Sequence, residues 1–182
     1  GKLTYKDVQA YYDGQPNNIP KEIPPEVIPN LYGAFHTLLD AREERGTLDL
    51  EISELKILID ETGHMTGVIP RTRLASHQVI EEMMILANVA AAKYIASHNM
   101  PLIYRVHDTP RPEKLDELRQ FLEDTSFSLP KGNVVKPRSF MHLLHSVKDT
   151  AQMHVINQMV LRAQCQAIYS PENLGHFGLN LA

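Results

Sequence analysis

The sequence predicts an α+β fold that is mostly helical, with a small antiparallel sheet around a buried central helix. Three observations lead to this class. Several segments repeat apolar residues at the spacing of one helix face, and they are separated by Gly and Pro. Two stretches that alternate apolar and polar residues flank a turn signal. One long segment, 76–98, is apolar nearly all round, which is typical of a buried helix.

The first elements are two helices joined by a proline-rich loop. Residues 1–14 predict a short helix in which Thr4 is a plausible N-cap and Gly14 the stop. Residues 26–45 predict a longer helix with one apolar face, and Gly46 closes it.

A hairpin is expected next. Alternation over 48–52 predicts a half-buried strand, the change of phase at Ser53–Glu54 indicates a bulge, and 55–59 resumes the alternation. A turn at 60–63 then returns the chain as a second strand over 65–69.

Ser76 is the expected N-cap of the central helix, which carries two acidic residues near its start. Glu81 and Glu82 point about 100° apart, so at most one of them can lie on the most buried face. The plain interpretation is a pair of carboxylates favoured by the helix dipole. The functional interpretation is that a polar group in so apolar a helix has a specific partner.

The remaining segments predict a short strand over 100–106 and an amphipathic helix over 112–124. Two further helices are expected over 138–148 and 150–169, the second with apolar residues at alternating spacings of three and four.

Composition narrows the functional classes. With 43% hydrophobic and 22% charged residues among 182, the chain is expected to form one ordinary globular domain. A net charge of −4 argues against a self-sufficient basic nucleic-acid binder. The lone Cys165 cannot form an internal disulfide, which fits a reducing cytoplasm, and no stretch reaches the apolar length of a membrane span. Gly1 and Ala182 read as cuts in a longer polypeptide.

Histidines are the other candidates for chemistry, and their patterns are weak. His142 and His145 have the spacing of two metal ligands on a helix but lack the third ligand of known zinc motifs. His107 ends a predicted strand, and a hydrogen-bonded structural histidine is the simpler interpretation there. No Gly-rich phosphate loop or nucleophile elbow is present. The residues by themselves therefore predict an α+β domain without a complete active site.

Five separated motifs, in order, resemble the ribonuclease II/R family, and the version here is more similar to the ribonuclease R type. They are AREERG over 41–46, LDLE over 48–51, SHQVIEEMMILAN over 76–88, YRVHD over 104–108, and YSPEN over 169–173 followed by GHFGL over 175–179. The run over 76–88 is the most specific. The resemblance runs through nearly the whole chain.

The resemblance implies a 3′-to-5′ exoribonuclease that hydrolyses RNA processively to nucleoside monophosphates. It also implies Mg²⁺ held by aspartates in the order Asp, five residues, Asp, one residue, Asp-Asp. Asp7 and Asp13 have the first spacing, but Gln15 and Pro16 stand where the last two aspartates belong. We therefore expect residues 1–182 to be the central part of an RNB-type catalytic domain, with no metal ligands and no activity of its own. The aspartate cluster is expected upstream, and a Ser-Pro-Ile-Arg run downstream. RNA is the expected partner of the cytoplasmic parent, and neither DNA nor a membrane is expected.

Two residues take roles from the resemblance. Glu81 matches a glutamate placed near the 3′-terminal nucleotide, and Leu50 matches a position that is often aromatic and stacks on the terminal bases. Two alternatives remain open at this point. One is a non-catalytic RNB-like binding or regulatory module, and the other is a small intact protein that binds a protein partner through a helical face.

Overall fold

The computed structural model describes residues 1–15, 19–52, 55–132 and 134–181. The described elements, in chain order, are α1 (Tyr5–Tyr12), α2 (Val27–Arg45), β1 (Leu55–Ile59), β2 (Met65–Pro70), α3 (Ala75–Ser97), β3 (Tyr104–Val106), α4 (Pro112–Glu123), α5 (Pro137–Val147), α6 (Met153–Ala163), β4 (Ile168–Ser170) and a short 3₁₀ helix (Phe177–Leu179). The predicted α+β class, mostly helical with a small antiparallel sheet, is confirmed.

The chain divides into two compact units. The first contains Gly1–Ala41 and Ser53–Tyr94, and the second contains Arg42–Ile52 and Ile95–Ala182. Each has its own hydrophobic core, and each is described by itself below.

The first unit is built around the start of α2 and the start of α3. Its buried apolar residues are Ile28, Tyr32, Phe35 and Val79. Thr4 caps α1 as predicted: its hydroxyl accepts from the Asp7 N–H, while the Asp7 carboxylate accepts from the Thr4 N–H at 3.0 Å. Asp7 is thus a capping residue here.

The hairpin of the first unit has the predicted strands and turn. β1 and β2 pair antiparallel, with an irregularity of register between Leu58 and Ile59. The bulge predicted at Ser53–Glu54 lies outside the described residues. The prediction that one face of the hairpin is half-buried is wrong, because apolar residues of both strands are exposed, including Leu55 at 68% and Met65 at 65%. Alternation predicted the strand correctly, but the described residues cover little of either face.

The second unit has the larger core, formed where α4, α5 and α6 pack together. Its fully covered side chains include Leu118, Phe140 and Val160. β3 pairs antiparallel with β4 to form a second two-stranded sheet, with Arg105 opposite Tyr169.

The strand predicted over 48–52 is wrong. Leu48 and Leu50 pack against the core of the second unit, which explains their alternation with polar residues. The backbone, however, bonds to a turn and to a side chain: the Leu48 N–H donates to the Gly178 carbonyl, and the Glu51 N–H donates to the Asn157 side chain. An apolar residue at every second position indicates that one side of an extended segment is buried. It does not require that the segment pair with another strand.

Two boundaries also differ from the predictions. Ser76 lies inside α3 instead of capping it, because its hydroxyl donates to the Tyr5 carbonyl at 2.8 Å. The last helix, α6, ends at Ala163, well before residue 169, because Ile168–Ser170 pairs with β3 instead. Non-local pairing overrides the local helical periodicity in that segment.

Among the residues that the structure describes, the burial predicted for α3 is not found. The helix buries Ser76, Val79 and Glu82, whereas Met84 is 58% and Tyr94 64% exposed. The pattern predicted the helix correctly, but the described residues do not cover most of its apolar surface.

Candidate functional site

Glu81 lies on α3, and its side chain is 44% exposed. Its Oε2 forms an ion pair with a guanidinium nitrogen of Arg73, on the segment just before the helix. Its neighbour Glu82 is 5% exposed, so it is Glu82 that occupies the buried side. An exposed ion pair of this kind is worth at most about 1 kcal/mol, so the Glu81 carboxylate can exchange Arg73 for another partner.

An aromatic pair lies one helical turn before Glu81. The ring of His77 lies 4.3 Å from that of Tyr5, and His77 Nδ1 accepts from the Leu74 N–H at 3.1 Å. The Ser76 N–H donates to Gln9 Oε1 at 3.1 Å, which holds α1 against the start of α3. Since residues four apart share a helix face, Tyr5, His77 and Glu81 follow one side of α3. The sequence analysis missed Tyr5 and His77, and the only available signal was the four-residue spacing of His77 and Glu81.

Leu50 lies in the second unit, in the segment 48–52 without regular secondary structure. Its side chain is half-buried against the core. An aliphatic side chain in this position can make apolar contact with a base but cannot stack as an aromatic ring does. Glu81 belongs to the first unit and Leu50 to the second, and each is placed only within its own unit.

His107 joins the YRVHD and GHFGL motifs. Its Nδ1 accepts from the Gly178 N–H at 3.0 Å, so Nε2 carries the hydrogen of the neutral ring. Its backbone carbonyl accepts from the Phe177 N–H at 2.8 Å, and its N–H donates to the Gly175 carbonyl at 3.1 Å. The ring bond to Gly178 is the kind expected of a structural histidine, whereas Nε2 is buried without a hydrogen-bond partner among the described residues.

The electrostatics at this junction favour neutral rings. Burial lowers the pKa of His107, while the Cys165 carbonyl and Asp108 oppose this shift. Burial also lowers the pKa of His176, and the neighbouring His107, 5.0 Å away between ring centroids, adds to the effect. Protonation of His107 at Nδ1 would remove the acceptor that holds Gly178.

The described ranges contain no group of three or more His, Cys, Asp or Glu side chains placed to hold a metal ion. His142 and His145 are both exposed on α5. Among the helices that the structure describes, none is long and apolar enough to cross a membrane.

Comparison with solved structures gives the class of fold. The chain superposes on Mycoplasma genitalium RNase R in complex with ribose methylated single-stranded RNA, with a TM-score of 0.90 and 23% identity. That match covers 97% of this chain and 28% of the other. A match to the same enzyme in complex with double-stranded RNA has a TM-score of 0.89.

Comparison of sequences gives the family. The RNB domain family matches residues 1–182. Ribonuclease R of Escherichia coli (strain K12) is 36% identical over 99% of this chain, and that of Thermotoga maritima is 33% identical over 98%. The chain belongs to the RNB domain family, which confirms the predicted resemblance, and its relatives are of the ribonuclease R type. It spans 22% of the Escherichia coli protein's length and 25% of the Thermotoga protein's.

Proposed function

We propose that this chain is the central part of the catalytic domain of a cytoplasmic, Mg²⁺-dependent exoribonuclease. The enzyme removes nucleoside monophosphates from the 3′ end of RNA processively. The observation that carries the proposal is the match of the RNB domain family to all 182 residues. The likeness of the fold to an RNase R solved with single-stranded RNA supports RNA as the substrate.

Glu81 acts near the 3′-terminal nucleotide in this proposal. An ionised carboxylate is an acceptor only, so the ribose hydroxyls, which donate, are its natural partners. The 2′-hydroxyl distinguishes RNA from DNA at such a contact. The exposure of Glu81 supports the role, since its weak pairing with Arg73 lets the carboxylate accept from another donor.

Leu50 supplies an apolar contact to the terminal bases. Aromatic stacking is worth on the order of 1–3 kcal/mol per base, and an aliphatic side chain recovers only part of that. The terminal clamp proposed here is therefore weaker than one built on an aromatic ring.

Mg²⁺ does not fit the residues that the structure describes, since they form no candidate metal group. In the proposal, the ion is held by an aspartate cluster elsewhere in the full-length protein. Bound there, it would stabilise the negative charge that builds on the attacking and leaving oxygens. In the proposal, this chain supplies part of the wall around the 3′ end.

The full-length protein that carries this chain tests the proposal. A 5′-labelled single-stranded RNA is incubated with the protein and Mg²⁺, with EDTA and a DNA of the same sequence as controls. We expect shortening from the 3′ end with release of nucleoside monophosphates, and no reaction in either control. Internal cleavage, or complete inertness towards RNA, would contradict the proposal.

The second candidate is a non-catalytic RNB-like module that binds RNA or regulates a partner. The degradation assay and a binding assay with the same labelled RNA separate the two candidates. The module would bind the RNA and leave its length unchanged.

A further inference from the structure

The backbone around Leu50 is fixed on both sides although it forms no regular element. Two residues before it, the Leu48 N–H donates to the Gly178 carbonyl at 2.9 Å. One residue after it, the Glu51 N–H donates to Asn157 Oδ1 at 2.9 Å. Neither bond is part of a sheet, so the conformation of this segment depends on its tertiary contacts.

Asn157 is an unusual residue for its position. It lies on α6 and is 3% exposed, next to Ile156 and one turn before Val160, which are both 0% exposed. A buried amide is unfavourable unless its hydrogen-bonding groups are satisfied. Both groups are satisfied here: Nδ2 donates to the Met153 carbonyl at 2.9 Å, and Oδ1 accepts from Glu51.

The first of these bonds sets the direction of the second. Because Nδ2 is bonded to Met153 on the same helix, the amide is oriented with Oδ1 towards Glu51. An apolar side chain of similar size would fill the core equally well and promote the helix at least as strongly. What the amide adds is the anchor for the segment that carries Leu50.

We propose that Asn157 is a positioning residue that holds the backbone at Leu50 and Glu51 in the conformation that contacts the 3′-terminal bases of RNA. The inference rests on the proposed function, because it assigns a residue that acts through Leu50. Asn157 lies within the core, so it acts on RNA affinity and not on the chemical step.

The test uses the full-length protein and a single-stranded oligoribonucleotide. Asn157→Leu removes the hydrogen-bond acceptor and keeps a side chain of similar volume. If the leucine variant does not fold, Asn157→Ala is used in its place. We expect the KM to rise about five-fold, the equivalent of one hydrogen bond, with kcat nearly unchanged. Hydrogen exchange in the segment 48–52 should accelerate.

Two further variants serve as controls. Asn157→Asp keeps an oxygen towards Glu51, and a buried carboxyl retains the proton that it can donate to Met153, so the KM should stay near that of the wild type. Val147→Ala perturbs the same core from α5, where Val147 is 0% exposed, and should lower stability without changing exchange in the segment 48–52.

A double-mutant cycle with Leu50→Ala decides whether Asn157 acts through Leu50. We expect Leu50→Ala to raise the KM, and Asn157→Leu to have little further effect in that background. An equal effect in both backgrounds, an unchanged KM for Asn157→Leu, or no effect of Leu50→Ala would overturn the inference. If the wild-type protein does not degrade RNA, the proposed function itself fails, which is seen before any variant is compared.

Discussion

At the scale of single residues, His107 shows how a buried histidine holds a turn. Gly178 comes so close that an added Cβ would lie 3.0 Å from His107 Nδ1, so a larger residue would require the ring to shift. The contact leaves no room for a proton between Nδ1 and the Gly178 N–H. The neutral ring is therefore part of the folded structure.

We predict that the free energy of unfolding of the chain falls as the pH drops below about 6.5. Burial lowers the pKa of His107 and of His176 from their ordinary value of 6.5, so the unfolded chain takes up these protons first. Below that pH, proton binding therefore stabilises the unfolded state relative to the folded state. Above it, the two histidines are neutral in both states, and their contribution does not change with pH.

Chemical denaturation at a series of pH values measures this effect. His107→Gln should reduce the slope of stability against pH, whereas the exposed His142→Gln should leave the slope unchanged. Identical slopes for the wild type and His107→Gln would contradict the prediction.

We predict that Glu81→Gln in the full-length protein lowers kcat/KM on RNA. The amide can still accept a hydrogen bond from a ribose hydroxyl, but it loses the charge that strengthens the bond and the ion pair with Arg73. A loss of about 1 kcal/mol corresponds to a roughly five-fold fall in kcat/KM on RNA.

The matched control for Glu81 is Glu61→Gln, in the exposed turn of the hairpin. It removes the same charge from a position outside α3. An equal loss of kcat/KM in both variants would show that net charge, and not the position of Glu81, accounts for the effect.

At the scale of elements, the end of α2 depends on a glycine. Gly46 has a φ of +76° and its N–H bonds to the Arg42 carbonyl at 3.1 Å, which closes the helix. A Cβ there would also lie 3.0 Å from the Cβ of Arg138. Conformation and space both require glycine at this position.

We predict that Gly46→Ala lowers the free energy of unfolding by about 1–3 kcal/mol. Gly33 is the matched control, since it lies within the same helix and an added Cβ there meets nothing within 4 Å. Gly33→Ala should raise stability by about 0.5–1 kcal/mol. Thermal unfolding measures both changes, and equal shifts of Tm in one direction would contradict the argument.

At the scale of the whole molecule, the chain buries two cores and leaves much apolar surface exposed. The exposed residues include Leu86 of α3 at 48% and Ile57 of the hairpin at 56%. The chain also spans 22% of the length of its Escherichia coli relative. Both facts are expected if the chain is a segment of a larger protein, as proposed above.

We predict that the purified 182-residue chain releases no nucleoside monophosphates from RNA in the presence of Mg²⁺. The reason is that its described residues form no group that could hold the ion. The full-length protein, assayed in parallel, is the positive control. Detectable Mg²⁺-dependent release by the chain alone would contradict this prediction.

The sequence by itself determined the family and most of the elements. Thr4, Gly14 and Gly46 marked helix ends through local capping chemistry, and α4 was found because its apolar spacing is local as well. The motifs identified the family because their order along the chain is a property of the sequence.

Only the tertiary structure decided how these pieces are used. The segment 48–52 is a loop because its partners, Gly178 and Asn157, lie more than a hundred residues away. The segment 168–170 is a strand and not the end of α6 for the same reason, because it pairs with β3, which is distant along the chain. The role of Asn157 could not be recognised from the sequence, because it depends on the hydrogen bond from Glu51, a residue distant along the chain. Hydrophobic periodicity reports which side of a segment is apolar, but the partner that covers it is set by contacts remote in the chain.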